Sequence, residues 1–320
     1  MKKVLITGIS GFAGSHLAEH LTSQKKFEIS GTYLDEKSLS NLASIKNINP
    51  LQIDLMDAEL VLEMVKSTKP DIIYHLAALT SPAQSFKDPG FTITNNVTAE
   101  INLLETVRIA GLENTKILIT SSADVYGLVA KEDLPIDEDT PLHPVSPYAV
   151  SKIAQDFLGL QYFLSYHLNV IRVRPFNHIG PRQAPSFVVS TFAKKIAEIE
   201  KGKGEFGNIL KVGNLAARRD FSDVRDVVLA YQLLMGKGVA GDVYNVGSGK
   251  SYEIAEILNK LISFSSVKIV VETDPSLFRP IDEPELVCDN TKLKKATGWK
   301  PTIPIDKSLK DTLDYWRNIL

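Results

Sequence analysis

The chain has 320 residues, 44% hydrophobic and 23% charged, with a formal net charge of -2. That is the composition of an ordinary globular protein with a sizeable buried core, and the near-zero charge excludes the basic fields that attract nucleic acid or an anionic membrane. No stretch approaches the roughly 20 apolar residues of a membrane span, and the single cysteine, Cys288, excludes an internal disulfide and fits a reducing cytoplasm.

The chain opens on MKKVLITGIS, where two lysines precede an apolar run in the manner of a secretory leader. The run is short, breaks at Gly8 and leads into a glycine-rich turn rather than a cleavage site, so it reads as a first strand. Runs rich in Ile and Val at 4–7, 27–33, 72–76, 117–121 and 170–174 predict buried strands. Helical patterns fall between them at about 14–24, 57–67, 97–110 and 147–166; for the last, Ser146 is placed to cap and Pro147 takes the first helical position. Alternation of strand and helix predicts an α/β fold, a parallel sheet with right-handed crossovers and helices on both faces. After about residue 176 the pattern loosens, with helices near 186–200, 223–235, 251–264 and 306–319 and short strands at 209–213, 242–246 and 267–272. There is no internal repeat.

The first strand runs into GISGFAG, with Gly8, Gly11 and Gly14 at the mouth of the first helix. One glycine permits a tight turn, another lets the backbone approach a pyrophosphate, and the third lets helix and strand pack closely. The helix N-terminus then offers free N–H groups to the phosphates. Asp35 lies 21 residues past Gly14, about where an acidic residue meets ribose hydroxyls, with Tyr33 as the competing occupant. No arginine follows the second strand to receive a 2′-phosphate, which favours NADH slightly over NADPH. Asp54 and Leu55, after an apolar segment at 51–53, fall near the adenine.

YAVSK at 148–152 puts Tyr148 and Lys152 four residues apart on one helix face. A phenol of pKa roughly 10 is a poor base, but a neighbouring ammonium favours the phenolate. The phenol then exchanges a proton with a sugar hydroxyl or ketone while hydride moves at the same carbon. Ser122, at the end of the fifth strand, is placed to hydrogen-bond the same oxygen.

Together, GISGFAG, HLAA at 75–78, SSADVYG at 121–127, YAVSK and RPFNHIGP at 174–181 resemble the extended short-chain dehydrogenase/reductases, the family of nucleotide-sugar epimerases, dehydratases and reductases. Four segments are most similar to GDP-4-keto-6-deoxy-D-mannose reductases: RPFNHIGPRQ at 174–183, the stretches at 211–228 and 241–251, and LFRPIDEPELVCDNTKLKKATGWKP at 277–301. The resemblance implies a Rossmann-type doubly wound parallel sheet with a smaller mixed α/β C-terminal substrate domain. It divides the chain into a cofactor domain at 1–176, with about 220–247 added, and a substrate domain at 177–320. It implies that Gly8, Gly11, Phe12, Ala13 and Gly14 bind an NAD(P)H pyrophosphate. Leu76, Ala77, Ala78, Asn96, Ser121 and Phe176 would line the cofactor cleft. Asp124 and Asn177 would contact a GDP-linked sugar, with Arg182, Lys211, Arg219 and Arg279 as candidates for its diphosphate. A guanidinium fork suits bidentate phosphate contact. No metal is implied.

The implied activity is hydride delivery to C4 of a 4-keto-6-deoxy sugar. The alternative is a 4,6-dehydratase or 4-epimerase. Dehydratases resembling this chain place a glutamate two residues after the Ser/Thr; here Ala123 and then Asp124 follow Ser122, one methylene shorter. A non-enzymatic dinucleotide-binding scaffold would be expected to lose Tyr148 or Lys152, and both are present. The helices at 97–110 and 147–166 carry apolar residues on more than one face, including Leu103, Leu104, Phe157 and Leu164, which predicts burial beyond the sheet and hence a homodimer.

Overall fold

The computed structural model describes residues 1–278 and 283–320. Its strands in chain order are β1 (Lys2–Thr7), β2 (Phe27–Tyr33), β3 (Ile48–Gln52), β4 (Ile72–His75), β5 (Lys116–Thr120), β6 (Asn169–Pro175), β7 (Asn177–Ile179), β8 (Ile209–Val212), β9 (Arg218–Asp223), β10 (Val243–Val246), β11 (Ser251–Glu253), β12 (Val270–Thr273) and β13 (Glu285–Leu286). The helices are α1 (Phe12–Ser23), α2 (Ala58–Thr68), α3 (Pro82–Ser85), α4 (Pro89–Ile109), α5 (Pro147–Tyr166), α6 (Val188–Glu200), α7 (Val224–Lys237), α8 (Ile254–Ser263), α9 (Thr291–Thr297) and α10 (Ile305–Ile319).

Seven strands form one sheet in the order β10–β6–β5–β4–β1–β2–β3, every pairing parallel. Alternate residues of β1 face opposite layers, because successive strand side chains point to opposite sides. Val4 and Ile6 pack with Leu17 and Leu21 of α1 and Val227, Val228 and Tyr231 of α7. Leu5, with Ile73, Ile117 and Ile119, packs with Met64 of α2, Leu103 and Val107 of α4 and Tyr162 of α5. Burial on both faces explains why the strand sequences are continuously apolar. The strand order reverses between β1 and β4, and that reversal opens a crevice at their C-terminal ends.

Past β6 the chain builds a second layer. β11, β9 and β13 form a small sheet with β7 joined to β9, and β8 pairs with β12. α6, α8 and α10 close over a core of Phe192, Ile196, Leu258, Leu261, Leu313 and Trp316. No helix among the described residues is long and apolar enough to cross a membrane.

Several elements depart from the sequence expectations, among them β3, β7, β11, β13, α3 and α9, which the sequence does not predict, and three departures have a plain local cause or consequence. α4 starts at Pro89 rather than near 97, because Asp88 caps it by accepting from the Phe91 N–H and Pro89 takes the first turn. β9, RRDFSD, is a buried strand that its charged sequence hides; it is the central strand of the small sheet. Glu36–Leu42 forms a 3₁₀ helix in a stretch whose sequence predicts no element.

Candidate active site

The crevice is lined first by the glycine turn. Gly8 has φ +71°, where a side chain is strained, and a Cβ there would meet the Ala77 backbone at 3.0 Å. A Cβ on Gly14 would overlap the Gly8 carbonyl oxygen. Gly11 occupies the N-cap of α1 without any side-chain cap, and the first turn of α1 holds no acidic residue. The positive end of the helix thus faces outward with neither a capping side chain nor a competing carboxylate, which fits a diphosphate. Thr7 fixes the opposite wall: its Oγ1 accepts from the Leu76 and Ala77 N–H groups at 3.1 and 3.2 Å. The loop after β2 closes over the turn through Ser38 Oγ to Ser10 Oγ (2.7 Å) and Asn41 Nδ2 to Ser10 O (2.9 Å).

The chemical centre lies at the ends of β5 and α5. Ser146 Oγ accepts from the Ala149 N–H, so α5 starts as its sequence dictates and sets Tyr148 and Lys152 on one face. Lys152 Nζ lies 6.0 Å from the Tyr148 ring centroid and donates to Thr120 O at 2.8 Å. Burial, then the charge of Asp124, push the Tyr148 phenol well above its ordinary pKa, with a hydrogen bond to Ser122 opposing them. Burial lowers the Lys152 ammonium to about 8, against the pull of Glu100. Ser122 Oγ also accepts from the Asp124 N–H at 3.1 Å.

The sequence gives Glu100 no role, yet it is completely buried on α4. Neither of its carboxyl oxygens makes a well-formed hydrogen bond among the described residues, and the Gln155 side chain is its only weak donor there. Burial raises its pKa well above the ordinary carboxylate value, opposed by the Lys152 charge. His75 Nε2 lies 4.0 Å from Glu100 Oε2. Thr7 Oγ1 already accepts two N–H groups, so its own proton goes to His75 Nδ1 at 2.9 Å, which leaves the His75 ring proton on Nε2, toward Glu100. Burial, then the Lys152 charge, lower His75 to about 3, so the ring is neutral. The nearby Asp156 is satisfied: Arg172 Nη1 and Arg174 Nε bond its two oxygens at 2.5 and 2.7 Å.

The structure separates the other candidates. Phe12 and Ala13 are half-buried at the start of α1, and Phe12 stacks on His178 at 5.6 Å. Leu76, Ala77 and Ala78 are half-buried along the crevice. Asn96 is fully buried, its side chain accepting from the Leu79 N–H and donating to Leu79 O and Ser151 Oγ, so it holds the loop after β4. Ser121 is buried, its hydroxyl on Lys152 O. Phe176 is packed with Tyr126, Leu286 and Cys288 in a core cluster. Leu55 is buried in the sheet core, whereas Asp54 is exposed and accepts from the Met56 N–H. Asp35 is exposed two residues past β2, where it caps the 3₁₀ helix by accepting from the Lys37 N–H.

Among the substrate candidates, Asn177 is exposed directly after β6. Lys211 lies over the Phe206 ring at 4.1 Å. Arg219 is buried, and its guanidinium bonds Glu283 Oε2 (3.1 Å) and Glu283 O (2.7 Å), so an internal carboxylate engages it. Arg182 lies against α1, donating to Glu19 Oε2 (2.6 Å), His16 Nδ1 (2.8 Å) and Asn41 O (3.2 Å), on the side of the glycine turn. Arg279 lies outside the described residues.

Residues 5–312 match the family model described as GDP-mannose 4,6 dehydratase. The chain is 36% identical over 317 residues to the GDP-6-deoxy-D-mannose reductase of Pseudomonas aeruginosa, covering 99% of this chain and 98% of that one. The solved structure of RMD from Pseudomonas aeruginosa complexed with NADPH superposes with a TM-score of 0.86 at 34% identity, covering the whole of both chains. The UDP-glucose 4-epimerase of Thermus thermophilus, solved with NAD, gives a TM-score of 0.87 at 28% identity over 99% of this chain and 100% of that one.

Proposed function

From the GDP-mannose 4,6-dehydratase family of extended short-chain dehydrogenase/reductases, to which the chain belongs, we propose that it is a reductase acting at C4 of GDP-4-keto-6-deoxy-D-mannose to give GDP-6-deoxy-mannose. The carrying observation is Tyr148, a buried phenol hydrogen-bonded to Ser122 with Lys152 Nζ 6.0 Å from its ring centroid, in a chain 36% identical to a reductase. A reduction needs an acid at the carbonyl oxygen, and the Tyr148 hydroxyl beside Ser122 is placed to be that acid; its burial in the ligand-free site makes it a weaker one than a free phenol.

The bound dinucleotide would supply the hydride, and the fit of the glycine turn supports its place at α1. Ser122 and Tyr148 hydroxyls meet the C4 oxygen from the protein side, so negative charge developing there is stabilised as it forms. Tyr148 gives that oxygen its proton. The Lys152 ammonium then faces the phenolate and lowers the energy of the charged form. Asn177, exposed just past β6, is placed to orient the sugar. We assign residues 1–176, with about 220–247, to cofactor binding, since β10 extends the main sheet beside β6 and α7 packs on it; residues 177–320 otherwise form the substrate side. NADH is favoured slightly over NADPH, because Asp35 follows β2 and no arginine lies between 33 and 42.

A homodimer is supported by α5, where Val150, Phe157 and Leu164 repeat every seven residues and are 44%, 49% and 62% exposed. Such spacing puts them on one face, and Ile109 of α4 is 55% exposed as well. Sedimentation at a monomer mass of 35.3 kDa, independent of concentration, would contradict it.

The test is to offer GDP-4-keto-6-deoxymannose with NADH and NADPH separately, following absorbance and product. Stoichiometric oxidation with formation of the 6-deoxy sugar supports the reading. A second arm offers GDP-mannose with catalytic oxidised dinucleotide, since Asp124 stands near Tyr148; formation of the 4-keto sugar there would replace the reductase with a dehydratase.

A further inference from the structure

β5 ends at Thr120, and after one more backbone bond, from the Ser121 N–H to Val173 O (2.8 Å), Ser122 caps a 3₁₀ turn, Ala123–Val125. A turn of three residues has little stability of its own. The next residue, Tyr126, is fully buried, and its hydroxyl donates to Asn245 Oδ1 of β10 at 2.7 Å. Arg174 Nη1 of β6 donates to that same hydroxyl at 3.0 Å and to Glu138 O at 3.1 Å. Arg174 Nε donates to Asp156 Oδ2 of α5 at 2.7 Å. Tyr126 lies four residues past Ser122, and Asp156 lies four residues past Lys152. One buried guanidinium thus joins the segment that carries Ser122 to the helix that carries Tyr148 and Lys152.

We propose that Arg174 is a positioning residue, which through Tyr126 fixes the Ser122 hydroxyl against Tyr148. The inference rests on the reading that Ser122 and Tyr148 meet the reacting oxygen. A planar guanidinium fork sets the angle between its donors, whereas a lysine offers a single point of charge. The two ends of the tie depend on it unequally. α5 spans 20 residues, is capped by Ser146, and holds Arg172 Nη1 on Asp156 Oδ1 at 2.5 Å independently of Arg174. The Ser122 segment has apolar packing instead, with Ala123, Val125 and Tyr126 in a cluster with Ile136 and Phe176. Such packing is non-directional, so the bonds at the Tyr126 hydroxyl set where the segment stops. Asn245 extends the chain, its Nδ2 donating to Ile136 O at 3.1 Å, so the acceptor of that hydroxyl is itself held. What Arg174 places is therefore Ser122, and a misplacement of about 1 Å at a reacting group costs on the order of 10²-fold in rate.

The test is a double-mutant cycle of Tyr126→Phe with Ser122→Ala, read in kcat for ketone reduction. Tyr126→Phe keeps the ring and removes the hydroxyl that Arg174 holds, so kcat falls about tenfold. KM for the dinucleotide stays unchanged, because the glycine turn is untouched. With Ser122 already replaced by alanine there is no hydroxyl to misplace, and the same change costs less than about twofold. Arg174→Lys, which leaves Asp156 on Arg172, shows the same dependence on Ser122; if it fails to fold, the Tyr126 cycle decides alone. An equal loss in both backgrounds, or a Tyr126→Phe variant with wild-type kcat, overturns the proposal. The second readout, amide hydrogen exchange, needs no substrate. In Tyr126→Phe the amides of residues 124–126 exchange about tenfold faster than in wild type, while those of 151–156 keep their rates. Equal acceleration of both stretches, or of neither, overturns the tie. A chain inactive on the sugar nucleotide whose 124–126 amides alone are loosened keeps the tie and rejects only the assigned reaction.

Discussion

Around Lys152 and in the C-terminal layer the protein buries charge in opposite ways. Among the described residues of the C-terminal layer the arginines of β9, α7 and α10 are matched: Arg218 with Glu253 and Glu285, Arg219 with Glu283, Arg225 with Asp223 and Asp311, Arg317 with Glu200 and Asp314. Near the active-site helix the groups are left short of charged partners: the Lys152 ammonium donates to a carbonyl, Glu100 makes no well-formed hydrogen bond, and His75 is kept neutral. Matched pairs fix shape and hold ordinary charge states. Short-handed groups have protonation states that small changes can move, as a proton-transferring site requires.

The largest effect expected is at the phenol. Tyr148→Phe keeps the ring and removes the proton, so kcat falls about 10²- to 10⁴-fold while dinucleotide affinity, measured by fluorescence quenching, stays nearly unchanged. Retention of more than about a tenth of kcat removes Tyr148 from the chemistry. Next is the matched group nearest the site. Asp156→Asn strands Arg172 and Arg174 of β6, and breaking a buried pair costs about 3–5 kcal/mol. Urea unfolding should show that loss with the alkaline limb of activity unmoved; a shifted limb with little lost stability would place Asp156 among the titrating groups.

Smaller still is Asp124→Asn. A reductase asks no obligatory proton transfer of Asp124, so ketone reduction falls about tenfold or less. A dehydratase would lose the acid or base acting at C5 and C6, about 10²- to 10⁴-fold.

Much of the fold was legible because its signals are local. GISGFAG, the Ser146–Pro147 cap and the Ile/Val strands each act through neighbours within a few residues, and the structure places them where the sequence predicts. What was missed depends on distant partners. β9 is a strand because three others flank or join it, which RRDFSD does not announce. Asp156 meets Arg172 and Arg174 only when α5 packs on β6. Glu100 did leave a trace: residues 100, 103, 104 and 107 share one helical stripe, so a carboxylate stood in line with Leu103, Leu104 and Val107.

The smallest effect concerns Arg182, which the sequence assigned to the substrate diphosphate and the structure sets against α1. Its guanidinium is engaged by Glu19, His16 and Asn41 O, with only 12% of the side chain exposed. Arg182→Ala should therefore leave KM for the sugar nucleotide within about threefold. The stability lost is about 1 kcal/mol, because Glu19 is more than half exposed and water replaces the cation. KM for the dinucleotide should move more, because Asn41 ties the same residue to the loop over the glycine turn. His16 supplies an internal check. Burial first, then the Arg182 charge, lower it to about 4. As pH falls from about 6.5 toward 4, the unfolded chain takes up a proton that folded His16 refuses, and stability drops. Without Arg182 the folded ring accepts its proton at higher pH, so the variant's melting temperature should fall less between pH 7 and pH 5 than that of wild type. A tenfold rise in KM for the sugar nucleotide, with the dinucleotide unaffected, would return Arg182 to the substrate side.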